Sequence, residues 1–408
     1  MADSQAQAAE LDAAITEIVR AEHGRIVATL IRRLGDIDLA EDAVAEALVT
    51  ALERWPVDGI PPNPGAWLTT TAGNKAIDRI RREAKRDAKY AEAAMLKDDD
   101  TPPPDDGPVQ DDRLRLIFTC CHPALAMENR VALTLRLLGG LTVAEIAKAF
   151  LVPETTMAQR ITRSKQKIRN ANIPYRVPRA EDLPARLGGV LAVLYLVFNE
   201  GYLASEGEGI RADLSAEAIR LTRQLSGLTD EPEVLGLLAL MLLTEARRPA
   251  RIADDSLVTL DQQDRALWDA ALIDEGHDLV RRCLATNRAG PYQIQAAINA
   301  VHTDALDASM TDWSQVVQLY DQLVAVQPSP IVELNRAVAV AELDGPEVAL
   351  HVVDQLDLAT YHPWHVARAE LLRRLQRYDE SRAAYDQALA LTANEAERAH
   401  LSRRRASL

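Results

Sequence analysis

The chain has 408 residues, of which 48% are hydrophobic and 26% charged, so it is long enough for two to four soluble domains. Only 4% of the residues are aromatic, and the abundance of Ala and Leu favours helix over sheet. Three cysteines exclude a disulfide framework and fit a reducing cytosol. The N-terminus lacks the pattern of a signal peptide, and the apolar stretches Leu187–Phe198 and Val234–Leu243 are too short to cross a bilayer. We therefore expect an all-α, cytoplasmic protein with no membrane partner.

The charge is distributed unevenly along the chain. The overall net charge of −15 argues against nucleic acid as a partner. Residues 113–179, however, hold 12 Lys or Arg against three acidic residues, a net +9, whereas residues 180–408 carry a net −14. A basic block inside an acidic chain indicates a local nucleic-acid contact.

Composition divides the chain into four parts. Residues 11–95 form a first helical unit, and residues 96–112, with four prolines and seven aspartates, read as an acidic linker. Residues 113–172 form a second unit, and a Pro-containing junction separates it from a helical extension over residues 183–408.

The segment Asp36–Arg54 predicts an acidic amphipathic helix. It carries six acidic residues and no basic one before Arg54, while Ala40, Val44 and Ala47 share one face. Such a helix is either a solvated acidic face or a docking surface for a basic partner helix.

A Pro-rich loop, Pro56–Gly65, precedes a helix that we expect from about Ala66 to Lys89. Its apolar stripe is expected to include Trp67, Ile77 and Ile80, with Trp67 in the core. Four cations fall on one face of this helix and could follow a phosphate backbone or only solubilise the surface. They are Lys75, Arg79, Arg82 and Arg86.

This first unit resembles region 2 of bacterial extracytoplasmic-function sigma factors, which belong to the sigma-70 family. The matching segments are Ala40–Val44, Trp55-Pro56, Asn63–Leu68 and Asn74–Arg82. The resemblance implies that the acidic helix binds the clamp helices of the largest RNA polymerase subunit through Asp38, Glu41, Asp42 and Glu46. It also implies contact with the −10 promoter element, including a flipped base for which Asn63 is the candidate. The residues implied at −10 DNA are Asn63, Asn74, Lys75, Arg79, Arg82 and Arg86.

Cys120, Cys121 and His122 suggest a zinc site at first sight. The spacing lacks a C-x₂₋₄-C pair and a fourth ligand, which favours buried thiols over metal ligation. No phosphate-binding loop, metalloprotease motif or nucleophile–base pattern occurs in the sequence. We expect no enzymatic activity, no metal and no cofactor.

Residues Leu141–Ala171 predict a helix-turn-helix. Thr142 and Glu145 have the spacing of a capping box at the start of a short helix. Pro153 can start a second helix, about Glu154–Asn170, which has apolar positions for the core and exposed polar and basic positions. Short polar groups followed by cations suit a helix that enters the major groove.

This second unit resembles sigma region 4, which reads the −35 element and binds the flap of the second-largest polymerase subunit. The resemblance places one set of residues of the second helix at bases or phosphates of −35 DNA. They are Thr155, Thr156, Gln159, Arg160, Arg163, Lys165 and Lys167. The order of the two resemblances, covering about residues 11–172, adds to their specificity.

The last third of the chain repeats itself. Asp-Gln pairs recur at Asp321, Asp354 and Asp386, late in amphipathic stretches, which predicts tetratricopeptide-like helix pairs from about residue 311. An ordinary helical bundle with chance identities is the alternative. The extension resembles that of a sigma subgroup with such repeats, and Leu187–Ser205 looks like the signature of that subgroup.

The sequence therefore predicts a sigma factor that directs core RNA polymerase to promoters and whose extension regulates it in cis, by inhibition or support. A helix-turn-helix regulator acting without polymerase and an interaction scaffold built on the repeats are the alternatives. A peptide or protein partner for the repeats is a further expectation.

Overall fold

A computed structural model describes residues 2–84, 112–150, 152–179, 181–202, 212–253, 256–392 and 394–408. These residues divide into two compact units, Met1–Val197 and Phe198–Leu408. The predicted all-α class is confirmed: within the described ranges the only strands are β1 (Ile252–Ala253) and β2 (Ser256–Leu257), which form one short antiparallel pair. The proposed linker, up to residue 111, and Arg86 lie outside the described residues.

Three helices at the N-terminal end pack against one another. They are α1 (Ala2–Leu34), α2 (Ile37–Asp58) and α3 (Pro64–Ala84). Asp36 caps α2, because its carboxylate accepts a hydrogen bond from the Leu39 amide at 3.0 Å. Trp55 is buried, and Trp67 meets it edge to face with ring centroids 5.5 Å apart. This contact places Trp67 against the core, as predicted.

Burial along α3 corrects one sequence prediction. The helix buries Leu68, Ala72 and Ala76, which are spaced by four residues, whereas Ile77 is 44% exposed. Ile77 lies roughly 100° around the helix from Ala76, so it turns away from the packed side. The expected apolar stripe through Ile77 was wrong.

Five helices complete the first unit, the last of them extending five residues into the second. They are α4 (Asp112–Cys120), α5 (Met127–Leu137), α6 (Val143–Ala149), α7 (Glu154–Asn170) and α8 (Leu183–Tyr202). Met157, Ile161 and Ile168 of α7 are buried, as predicted. Cys120 and Cys121 are free, buried thiols, and burial raises the pKa of Cys121 to about 12. Helix α8 is long and apolar enough to span a membrane by composition alone, a test that core helices also pass.

The second unit contains further helices, which follow one another along the chain. They are α9 (Ala212–Ser226), α10 (Pro232–Glu245), α11 (Ala270–Ala285), α12 (Pro291–Asp304), α13 (Trp313–Val326), α14 (Pro330–Leu343), α15 (Pro346–Asp354), α16 (His362–Arg374), α17 (Tyr378–Leu391) and α18 (Glu395–Ala406). Every residue of α10 from Val234 to Leu243 is buried, as expected for that apolar stretch.

The sequence repeat corresponds to a repeated contact between helices. The three repeated aspartates each pair with an arginine of the next helix along the chain. The pairs are Asp321–Arg336 at 2.6 Å, Asp354–Arg368 at 2.7 Å and Asp386–Arg405 at 2.5 Å. Paired helices therefore occupy the segment where the sequence predicted them, and the shared aspartate marks equivalent positions of consecutive pairs.

Candidate nucleic-acid and polymerase interface

The helix-turn-helix has the local structure that its sequence predicts. The Thr142 hydroxyl accepts a hydrogen bond from the Glu145 amide at 3.2 Å, and the Glu145 carboxylate accepts one from the Thr142 amide at 2.7 Å. This reciprocal capping box fixes the start of α6. Pro153 stands immediately before α7, which begins at Glu154, and α6 packs on α7.

One face of α7 is open to solvent. Thr155, Gln159, Arg163 and Lys167 are exposed, and Thr156 and Arg160 are half-buried. A shallow groove follows this side of the helix. It is lined by Thr162, Arg163, Gln166, Lys167, Asn170 and Ala171. A polar and cationic helix face of this kind can enter a major groove and contact phosphates.

A neighbouring side of α7 faces acidic residues of α2 instead of solvent. The Lys165 ammonium forms an ion pair with Glu41 and donates a hydrogen bond to Asp38 at 3.0 Å. Arg169 pairs with Asp38. Arg136 of α5 donates a hydrogen bond to Glu41 at 2.9 Å. We call these five side chains the clasp: Asp38, Glu41, Arg136, Lys165 and Arg169.

The centre of the clasp is shielded from water. Glu41 is 8% exposed, and the Lys165 side chain is 15% exposed. Burial acts to lower the pKa of Lys165, but the carboxylates of Glu41 and Asp38 outweigh it and raise that pKa above its ordinary value. Burial acts to raise the pKa of Asp38, but Lys165 and Arg169 outweigh it and lower that pKa. Both groups are therefore charged over a wider pH range than when isolated.

The clasp joins residues that the sequence assigned to different partners. Asp38 and Glu41 were expected at polymerase, and Lys165 was expected at −35 phosphates. Sequence patterns gave no signal for this pairing, because it joins positions 127 residues apart. Arg136 and Arg169 were missed as members of the site.

The other acidic residues of α2 have different surroundings. Asp42 is exposed and pairs with Arg79 of α3 at 2.5 Å, so one expected polymerase contact lies beside one expected −10 contact. Glu46 is exposed on α2. These two carboxylates remain accessible on the surface of the first unit.

The expected −10 residues lie on α3 and the loop before it. Asn63 is exposed, and its side-chain oxygen accepts a hydrogen bond from the Ala66 amide at 3.0 Å, which caps α3. Asn74 and Arg82 are exposed, and Lys75 and Arg79 are half-buried. The structure therefore brings the described members of this set to α3 and the residue just before it, while Arg86 falls outside the described residues.

Family models match three segments of the chain. Sigma-70 region 2 matches residues 18–86, sigma-70 region 4 matches residues 115–168, and a family of unknown function (DUF6596) matches residues 186–284. The region 4 match covers the helix-turn-helix. The chain belongs to the extracytoplasmic-function sigma factors of the sigma-70 family.

Relatives among known proteins agree with this membership. An uncharacterized protein of Rhizobium meliloti (strain 1021) is 44% identical over 382 residues, which is 91% of this chain and 90% of that protein. The probable ECF RNA polymerase sigma factor SigI of Mycobacterium tuberculosis is 30% identical over 40% of this chain and 57% of its own length. The ECF RNA polymerase sigma factor SigK of Mycobacterium ulcerans is 27% identical over 40% of this chain and 92% of its own length. No solved structure matches the chain.

Proposed function

We propose that the chain is a sigma factor that directs core RNA polymerase to promoters in the cytoplasm. The observation that carries this proposal is the exposed polar and cationic face of α7, placed by a capped helix-turn-helix within a region 4 match. Sequence is read by hydrogen bonds to base edges, and cations add affinity through phosphates. The family is not enzymatic, and we propose no catalysis of its own for this chain.

Each expected contact follows from chemistry and position. Thr155 and Gln159 lie in the first turns of α7 and can exchange hydrogen bonds with base edges, while Arg163 and Lys167 reach phosphates. Asn63, Asn74 and Lys75 would contact −10 DNA, where single-stranded bases need a cationic surface. Asp38, Glu41, Asp42 and Glu46 would bind the basic clamp helices, and the region 4 unit would bind the flap.

Run-off transcription with purified core polymerase tests the proposal. The full chain should give promoter-specific transcripts, and Gln159→Ala should reduce them by about tenfold or more, since a good base contact contributes roughly 1–3 kcal/mol. Arg281→Gln, an exposed site in the second unit, is the control and should leave the yield unchanged. Sequence-specific DNA binding without any transcript would instead support a regulator that acts without polymerase.

We also propose that the extension regulates the sigma factor in cis. Its net charge is opposite to that of residues 113–179, and this difference in charge supports a direct influence of the extension on those residues. Residues 1–202, which keep α8 intact, should give a different transcript yield from the full chain. Equal transcript yields from residues 1–202 and the full chain would contradict regulation by the extension. A peptide or protein that binds the helix pairs would be the source of the signal.

A further inference from the structure

Three arginines of the second unit lie close together without a carboxylate partner. They are Arg247, Arg251 and Arg265, which we call the arginine cluster. Among the described residues, no Asp or Glu forms an ion pair with any of them. We propose that the cluster is a binding site for a small dianion, with phosphate as its simplest form. Such a site would belong to the second unit alone, so it does not depend on the proposed function.

Two short helical turns bring the three arginines together. Arg247 and Arg251 flank the first turn, which follows α10. Arg265 begins the second turn, which packs against the first. The Asp269 amide donates a hydrogen bond to the Ala246 carbonyl oxygen at 2.9 Å, and this bond ties the second segment to the end of α10. The backbone therefore fixes the cluster before any ligand binds.

The Arg247 guanidinium is enclosed and incompletely bonded. It donates one hydrogen bond of 2.8 Å to the side-chain oxygen of Asn299 on α12. Its Nε atom is buried and has no hydrogen-bond partner among the described residues. An enclosed donor without an acceptor is unfavourable, and more so when the group is charged. An anion that accepts from Nε would remove this defect.

The other two arginines meet aromatic rings and carbonyl oxygens. The Arg251 guanidinium lies over the Tyr202 ring, 4.4 Å from its centroid. The Arg265 guanidinium lies 4.6 Å from the centroid of the Trp268 ring and donates a hydrogen bond to the His302 carbonyl oxygen at 2.7 Å. These contacts orient the two guanidiniums and leave their charge uncompensated. Both side chains are half-buried, so the cluster reaches solvent on this side.

A neighbouring arginine shows the contrast with a structural role. Arg248 pairs with Glu245 at 2.6 Å and donates a hydrogen bond to the Ser215 hydroxyl. Poorly solvated charges in proteins are normally paired in this way. Asp307 acts on Arg265 electrostatically but forms no ion pair with it. The cluster thus lacks the partner that packing alone would require.

The positive charges of the cluster act on one another. Burial is the largest cause that lowers the pKa of Arg247; Tyr202 acts in the opposite direction, and Arg251 and Arg265 lower that pKa further. Burial also lowers the pKa of His302 to about 4, and Arg247 and Arg265 add to this effect. His302 is therefore neutral at neutral pH, while the guanidiniums stay charged. A bound dianion would offset most of their mutual repulsion.

A phosphate group suits this site better than a single carboxylate. The guanidinium presents several N–H donors in a planar fork that matches the oxygen atoms of either group. A phosphate monoester carries about −1.5 to −2 charges at neutral pH, whereas a carboxylate carries a single charge. Three neighbouring guanidiniums therefore match the charge of phosphate more closely.

Isothermal titration calorimetry of the full chain with inorganic phosphate tests the proposal. The parent chain should bind one phosphate per chain, with chloride used to hold the ionic strength constant. Acetate, which carries a single charge, should bind at least about tenfold more weakly. Because the titration contains neither polymerase nor DNA, its result is independent of the transcription result.

Substitutions within the cluster should weaken phosphate binding. Arg247→Gln and Arg251→Gln each remove one guanidinium and should lower the affinity about tenfold or more. Arg251→Lys keeps the charge without the fork, so its affinity should lie between those of the parent and Arg251→Gln. Arg282→Gln, which removes an exposed arginine from α11, is the control and should bind like the parent. Thermal unfolding in chloride checks that every variant folds.

The possible outcomes decide the proposal. Absence of phosphate binding by the parent, or equal affinities in the parent and the folded cluster variants, would overturn it. An equal loss in Arg282→Gln would reduce the binding to general attraction by positive charge and would overturn it as well. Acetate that binds as tightly as phosphate would contradict selection of a dianion. Loss confined to the cluster variants, with partial recovery in Arg251→Lys, is the expected result.

Discussion

The ion pairs of the clasp and those of the three repeated aspartates join helices at very different separations along the chain. In the first unit, Lys165 and Asp38 are 127 residues apart, and Arg136 and Glu41 are 95 apart. In the second unit, Arg336, Arg368 and Arg405 pair with aspartates only 15, 14 and 19 residues away. The first pattern joins helices of the first unit that are far apart along the chain. The second pattern joins neighbouring helices and serves the architecture.

The clasp is also more deeply buried than the ion pairs of the repeats. Glu41 is 8% exposed, whereas the Asp354 side chain is 43% exposed. A buried ion pair is costly to break by removing one partner, while an exposed pair contributes little to stability. The comparison therefore predicts large effects at the clasp and small effects in the repeats.

The largest effect is expected for Glu41→Gln. This change leaves Lys165 and Arg136 without their shared carboxylate in a poorly solvated place, which should cost about 3–5 kcal/mol of stability at this contact. Hydrogen exchange at α2 and α7 amides measures the loss. Glu46→Gln is the control, since Glu46 is exposed on the same helix, and comparable losses from both changes would contradict the special role of the clasp.

The next effect concerns pH. Burial, and then the charge of Arg136, lower the pKa of His23 to about 4 in the folded chain. Glu41 acts in the opposite direction but is outweighed. In the unfolded chain the exposed ring has its ordinary pKa of about 6.5, so protons favour unfolding. The contribution of His23 to the free energy of unfolding should be constant above pH 6.5 and should fall by up to about 3 kcal/mol as the pH falls to 4.

Urea denaturation of the full chain, recorded from pH 7.5 to pH 4.5, checks this dependence. His23→Gln should flatten the profile between pH 6.5 and pH 5, because Gln does not titrate. A profile that is equally steep with and without His23 would assign the pH response to other groups.

A smaller effect is expected for Lys167→Gln on the exposed face of α7. Loss of one phosphate contact should weaken binding to −35 duplexes of any sequence several-fold and reduce the salt slope by about one. Filter binding at a series of salt concentrations measures both quantities. As the control, Arg281→Gln removes one exposed charge from the second unit and should leave the salt slope of the unchanged chain as it was. If Lys167→Gln also kept that slope, Lys167 would not contact the DNA.

The smallest effect is expected for Asp354→Ala in the repeats. Its pair with Arg368 is largely solvated, so we expect a loss of less than about 1 kcal/mol in the free energy of unfolding. Urea denaturation measures the change. Leu350→Ala is the control, because it removes a buried side chain from the same helix pair. It should lower the free energy of unfolding by about 2–5 kcal/mol, which would show that urea denaturation reports on the repeats.

Local signals in the sequence were sufficient for much of the fold. The capping box of Thr142 and Glu145 formed as predicted, and the amphipathic stretches that carry Asp321 and Asp386 form the helices Trp313–Val326 and Tyr378–Leu391. These features depend on residues within a few positions of one another. The apolar pattern of α3 predicted wrongly that Ile77 is buried, because the neighbouring helices, and not the pattern alone, decide which side of a helix is buried.

The clasp shows what local signals cannot supply. The acidic face of α2 was correctly read as either a solvated surface or a docking surface for a basic helix, but the sequence does not say which basic helix. The structure pairs it with α7 of the same chain. The individual DNA and polymerase contacts remain predictions, which the transcription and binding experiments above address.

The Asp–Arg pairs between consecutive helices also bear on how the chain responds to a pull. Helix α18 contacts both α17 and the distant strand β2, whereas α17 and α16 contact each other, so tension on Leu408 should detach α18 from both of its neighbours first and then α17 and α16. The first unit, whose ion pairs join residues more than 90 positions apart, should instead unfold in one cooperative step. A chain drawn into a protease from its C-terminus would therefore lose its repeats gradually, long before the promoter-reading helices come under load.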